Sequence, residues 1–119
     1  MARVTSQLSG PSAGDGPEAL AAGNIVVDVA SYRVTVDDAP VVLTYQEFEL
    51  LRLLITQPDR IMPYELLARA LWSSTGQKKV RRLGVVVCRL RAKLAASWPY
   101  RIETVRGRGY GLATRAEHR

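Results

Sequence analysis

Four apolar residues, Leu83, Val87, Leu90 and Leu94, recur at i, i+4, i+7 and i+11 inside a strongly basic segment. At about 100° per residue this spacing draws one narrow buried stripe along a helix, predicted over about 78–96. The same geometry puts Lys78, Arg82, Val85, Arg89 and Lys93 on the opposite side, with Val86 at that side's edge. The stripe ties the helix to a core and leaves a basic face outward. Few arrangements allow that unless other elements supply the rest of the core.

Those elements come earlier and later in the chain. Residues 1–23 read as a flexible tail or linker, because Ser9 to Pro17 is small, polar and rich in breakers. From Asn24, Ile25-Val26-Val27-Asp28-Val29 and Tyr32-Arg33-Val34-Thr35-Val36 are β-branched runs split by Ala30-Ser31. Asp37-Asp38 makes a second turn before Val41-Val42-Leu43, so an antiparallel meander is expected. Thr44-Tyr45-Gln46-Glu47 is a capping box, with Phe48, Leu51 and Ile55, joined by Leu50 and Leu54, as the apolar face behind it. Pro58 ends that helix and Pro63 can start another, carrying Leu67 and Leu71 and ending near Trp72. After the basic helix, closed by Pro99, Arg101–Val105 and Tyr110–Ala113 bracket Arg106-Gly107-Arg108-Gly109, which reads as a β-hairpin. The domain is bounded at 24–115, with 116–119 as a C-terminal tail.

Charge is divided just as unevenly. Residues 1–60 hold four basic and eight acidic groups, and residues 61–119 hold thirteen basic and three acidic ones. Between Lys78 and Arg115 eleven basic residues face only Glu103. Such a field favours a polyanion, with nucleic acid ahead of an acidic membrane surface. A helix fits the major groove of B-DNA, where arginines meet phosphates or guanine edges and valines meet thymine methyls. Arg106 or Arg108 on the hairpin tip suits a narrow minor groove.

Other chemistries find little support. One Cys and one His cannot build a typical zinc site, so neither metal nor cofactor is expected. No nucleophile–base pair or usable carboxylate pair stands out, and no enzyme is expected. No run of about 18 apolar residues is present and no signal-peptide pattern opens the chain, so a cytoplasmic domain without a membrane partner is expected. Cys88 reads as a small side chain on the helix flank, His118 as a solvated tail residue, and Trp72 and Tyr110 as core anchors. Hairpin turn geometry accounts for Gly107 and Gly109.

Leu43-Thr44-x-x-Glu47-Phe48-x-Leu50-Leu51, then Trp72, Arg89-Leu90-Arg91-x-Lys93-Leu94 and Thr104-Val105-Arg106-Gly107-x-Gly109-Tyr110 resemble the OmpR/PhoB-type winged-helix domain, the DNA-binding half of many bacterial two-component response regulators. The resemblance covers roughly residues 24–114. It implies an α+β winged helix-turn-helix with an N-terminal four-stranded antiparallel sheet, a three-helix core and a C-terminal hairpin wing. It further implies double-stranded DNA as partner and transcription regulation as function. By position it assigns Arg81 and Arg91 to phosphates, Val85 and Arg89 to bases, and Arg106 to the minor groove. With Lys78, Lys79, Arg82, Val86, Lys93 and Arg108 these residues make up the expected interface.

The chain also departs from the family's pattern. Val80, Arg82, Gly84 and Val86 replace an acidic or small polar residue, Thr, Asp and often His, so base preference does not transfer from relatives. Gly84 costs about 1 kcal/mol of helix propensity. In some relatives the loop before the recognition helix touches RNA polymerase. Here it ends in Gln77-Lys78-Lys79, which favours phosphate contacts instead. Head-to-tail pairing on direct repeats is the assembly the resemblance suggests. No receiver unit is read, since Asp28, Asp37 and Asp38 sit in the meander. An orphan domain and the effector half of a longer protein both stay open. A different class, a winged-helix interaction module that modulates another regulator or RNA polymerase and docks through Val85 and Val86, is the alternative function. Non-specific RNA binding is disfavoured by the shortage of aromatics on the basic face.

Overall fold

The computed structural model describes residues 19–74, 76–97 and 100–114. The readings made on residues 1–18, on Pro99 and on 115–119, including His118, lie outside the described residues.

The chain begins with a four-stranded antiparallel sheet in sequential order: β1 (Ala19–Ala22), β2 (Ile25–Asp28), β3 (Arg33–Val36) and β4 (Ala39–Val41). Ile25 and Val27 pair with Val36 and Val34, and all four side chains are buried, because alternate residues of a strand share one face. Asp28 Oδ1 accepts the N–H groups of Ala30 and Ser31 at 3.1 and 3.4 Å and so shapes the β2–β3 turn. Asp37 and Asp38 both take positive φ, as a two-residue hairpin whose turn matches strand twist requires.

β1 corrects the expectation that everything before residue 24 is tail. Ala19-Leu20-Ala21-Ala22 has low strand propensity and no alternation, so its sequence carries no strand signal. Pairing with the β2 edge recruits it, with Ala22 opposite Ile25. Gly23 sits at φ 59° in the turn, and a Cβ there would overlap the Tyr100 ring.

Helix α1 (Tyr45–Thr56) opens with the capping box: Thr44 Oγ1 accepts the Glu47 N–H at 3.2 Å, and Glu47 Oε1 accepts the Thr44 N–H at 2.9 Å. Phe48, Leu50, Leu51, Leu54 and Ile55 are buried as expected. Helix α2 (Tyr64–Trp72) buries Leu67 and Ala68. Pro63 stands just before it rather than within it, because Met62–Pro63 forms a short strand, β5, that no sequence signal marked. Helix α3 (Gln77–Lys93) is followed by a single 3-10 turn, Ala95–Ser97. It therefore ends earlier than the expected Ala96. Leu83, Val87, Leu90 and Leu94 are all buried, which places the predicted stripe correctly. Each such side chain contributes about 1.5–3 kcal/mol by leaving water.

The chain closes with β6 (Arg101–Val105) and β7 (Gly109–Ala113), in a second sheet of order β5-β7-β6. Gly107, at φ 78°, fits the expected turn geometry. Gly109 does not owe its place to the turn: a Cβ on Gly109 would overlap the Met62 carbonyl, and one on Gly111 the Arg60 carbonyl. Close approach of β5 and the segment before it requires both glycines. The architecture is the α+β winged helix-turn-helix that the resemblance implied.

Candidate nucleic-acid interface

α3 is packed into the core along its inner side, so its outer side is presented as a rigid ridge. Along that ridge Lys78, Arg81, Arg82, Val85 and Arg89 are exposed and Lys79 is half-buried. Val85 is 49% exposed although it is apolar and surrounded by basic residues. Arg81 Nη1 lies 3.5 Å from Gln77 Oε1, one turn away. The Arg82 guanidinium and the Lys79 ammonium sit 5.7 and 5.9 Å from the centroid of the Trp72 ring. Cation–π contacts of this exposed kind contribute about 0.5–1 kcal/mol and restrict where the two charges can go. Trp72 also packs against the core, as does Tyr110, in keeping with their expected role as anchors.

Three expected contact residues are placed differently. Val86 is only 7% exposed and belongs to the core cluster. One position past the outward stripe is enough of a rotation to turn it under α3, so it is not available at the surface. Lys93 is not a free cation: its Nζ lies 2.7 Å from Glu47 Oε1. Glu47 is 2% exposed, and a carboxylate so buried needs a charged partner. Burial pushes the Glu47 carboxyl up, but Lys93 and the Thr44 N–H outweigh it and hold it below its usual range. Arg91 is turned toward the hairpin, where Nε donates to Ile102 O at 3.0 Å and Nη2 donates to Thr104 Oγ1. Its guanidinium braces β6 against α3, so the phosphate contact assigned to it has a competitor within the fold.

The hairpin carries Arg106 and Arg108, both exposed, at its tip. The tip is a four-residue turn in which the Arg108 N–H donates to Val105 O at 2.9 Å. Tyr64, the first residue of α2, reaches it: the Gly107 N–H donates to Tyr64 Oη at 3.1 Å, and Tyr64 Oη lies 3.3 Å from Val105 O. The Tyr64 backbone N–H donates to Arg108 O at 3.1 Å. The Tyr64 ring meets Tyr110 edge-on, with centroids 5.4 Å apart. Burial, then the neighbouring Tyr64, pushes the Tyr110 hydroxyl above its usual range against the pull of Arg91. Sequence reasoning passed over Tyr64 because its partners lie about forty residues away, a separation no local pattern encodes.

Residues 38–112 match the family model described as transcriptional regulatory protein, C terminal. The chain belongs to this family of OmpR/PhoB-type effector domains. Among its relatives is the phosphate regulon transcriptional regulatory protein PhoB of Pseudomonas aeruginosa, 28% identical over 116 residues, which cover 98% of this chain and 51% of that protein. The cell cycle transcriptional regulator CtrA of Caulobacter vibrioides is 34% identical over 103 residues, covering 85% of this chain and 45% of that one. This effector domain thus spans about half the length of the relatives it matches. In fold it resembles the Klebsiella pneumoniae RstA DNA-binding domain, solved in complex with the RstA box. The TM-score is 0.74 at 32% identity, covering 82% of this chain and 99% of that one. The AdeR DNA-binding domain, solved with an intercistronic region, gives a TM-score of 0.67 at 26% identity over 77% of this chain and 95% of that one. Among the described residues no helix is long and apolar enough to cross a membrane, and no cluster of His, Cys, Asp and Glu could hold a metal ion.

Proposed function

We propose that this effector domain is a sequence-specific double-stranded DNA-binding transcription regulator, with α3 in the major groove and Arg106 in the minor groove. The single observation that carries this reading is the pairing of Val85 and Arg89, one turn apart and both exposed, on the basic ridge of α3. An arginine can read guanine edges and an exposed valine can meet a thymine methyl, so the pair combines two forms of base readout. Lys78, Arg81 and Arg82 flank it as phosphate contacts, with Arg108 adding charge beside Arg106 on the wing. Relatives solved on DNA support the same partner. Such a protein works in the cytoplasm, where bacterial DNA is.

Docking on a protein through Val85 and Val86 loses ground, because burial of Val86 reduces the apolar patch to Val85 alone. The test is selection of bound duplexes from a random pool, followed by the salt dependence of binding to the winner. A defined motif with a steep salt slope is expected, and one or two copies of it distinguish a single domain from a head-to-tail pair. Failure to enrich any duplex at low salt, together with capture of RNA polymerase, would instead favour protein docking.

A further inference from the structure

We infer that Tyr64 is a positioning residue for DNA binding: its hydroxyl latches the wing turn in the conformation that presents Arg106. This rests on the proposed placement of Arg106 in the minor groove. Val105 to Arg108 form a turn closed by the Arg108 N–H to Val105 O bond, with Gly107 in the third position at φ 78°. A positive φ there is the mark of a type II turn. Types I and II differ by a flip of the central peptide, here the one joining Arg106 to Gly107. That flip reverses the Gly107 N–H and the Arg106 carbonyl with little change in the Cα positions or the Arg106 Cα–Cβ direction. What it decides is whether the turn that carries Arg106 can be tied to α2.

In a free hairpin nothing but glycine's own preference selects one flip over the other. Here the Gly107 N–H donates to Tyr64 Oη, a bond that exists in only one of the two forms. The same oxygen lies 3.3 Å from Val105 O, within reach for donating its own hydrogen, so the hydroxyl can use both its capacities on the turn. The Tyr64 N–H, an otherwise orphaned donor of the first turn of α2, is satisfied by Arg108 O. The latch therefore grips the backbone at residues 105, 107 and 108 and leaves the side chains of Arg106 and Arg108 exposed. It also ties the wing to the helix-turn-helix unit as well as to its own strands, which keeps wing and α3 in register for two grooves at once.

Tyr64→Phe removes the hydroxyl and keeps the ring on Tyr110. Two readouts are compared with Arg106→Ala and with the double variant, using the selected duplex at fixed salt and amide exchange by NMR in the free domain. The Gly107 amide is expected to exchange faster in Tyr64→Phe while amides of α1 stay protected. Duplex affinity is expected to fall about three- to tenfold, the range of one hydrogen bond, and the loss is expected to vanish in the Arg106→Ala background. An unchanged Gly107 exchange rate overturns the latch. Faster exchange with a loss that persists in full without Arg106 overturns the positioning role. Arg106→Ala binding like the wild type overturns the minor-groove reading itself, and is recognised by that single variant.

Discussion

The two halves of α3 carry the same kind of side chain and use it in opposite ways. In the first half Lys78, Arg81 and Arg82 project from a helix whose first turn contains no acidic residue. In the second half Lys93 is drawn back onto the buried Glu47, and Arg91 onto the β6 backbone and Thr104. Arg89, between the two halves, is exposed, and Arg91 and Lys93 also keep exposed surface while making these contacts. The difference comes from what lies beneath each half. The second half crosses the start of α1 and the hairpin, where a buried carboxylate and strand carbonyls need donors. In the first half the attractions within the fold are weaker, the face of Trp72 for Lys79 and Arg82 and the Gln77 side chain for Arg81. A basic residue of α3 is thus left to an outside acceptor only where the fold offers it no closer one.

The largest expected effect comes from breaking the inward half. Lys93→Ala strands the Glu47 carboxylate and should cost about 1–3 kcal/mol of stability, read from denaturant unfolding. The salt slope of DNA binding should be unchanged; a flatter slope would return Lys93 to the interface. Arg89→Ala is the matching break outside. It should leave unfolding alone, cost about 1–3 kcal/mol on the selected site, and relax discrimination at one base pair.

Acid should separate the halves more gently. Because the Glu47 carboxyl is held below its usual range in the folded state, its stabilising contribution is complete above the unfolded value near pH 4 and is lost as pH falls through the lowered one. Unfolding midpoints measured down that range should fall more steeply for the wild type than for Lys93→Ala, in which the pull of Lys93 is gone. Lys78→Ala should have the smallest effect. It should weaken all duplexes alike and reduce the salt slope by about 0.9, the share of one phosphate. A sequence-dependent loss would mean Lys78 touches bases.

Most of the fold was legible because its signals are local. The capping box at Thr44 and Glu47, the apolar face of α1, the Leu83 to Leu94 stripe and the glycine turn of the wing each rest on residues a few positions apart. β1 was not legible, since an alanine run becomes a strand only beside β2. Nor was β5, two residues long and held by β7. At the interface, the exposure of Val85 and Arg89 followed from helical period alone. The burial of Val86 did not: period places a side chain to within part of a turn, and the width of the groove between α3 and its neighbours decides the rest.

Local signals alone mark a meander, three helices and a hairpin, with a basic third helix and arginines at the hairpin tip, because periodicity, caps and turn residues act over short stretches. The resemblance then implied the winged helix. Folding, by contrast, sets which of the basic groups meet an acceptor within the protein. Lys93 is claimed by Glu47, 46 residues away in the chain. Arg91 is claimed by β6, and Tyr64 holds the turn that carries Arg106. Such pairings are set by the need of buried carboxylates, carbonyls and N–H groups to find partners, and the identity of the partner exists only once the chain has folded.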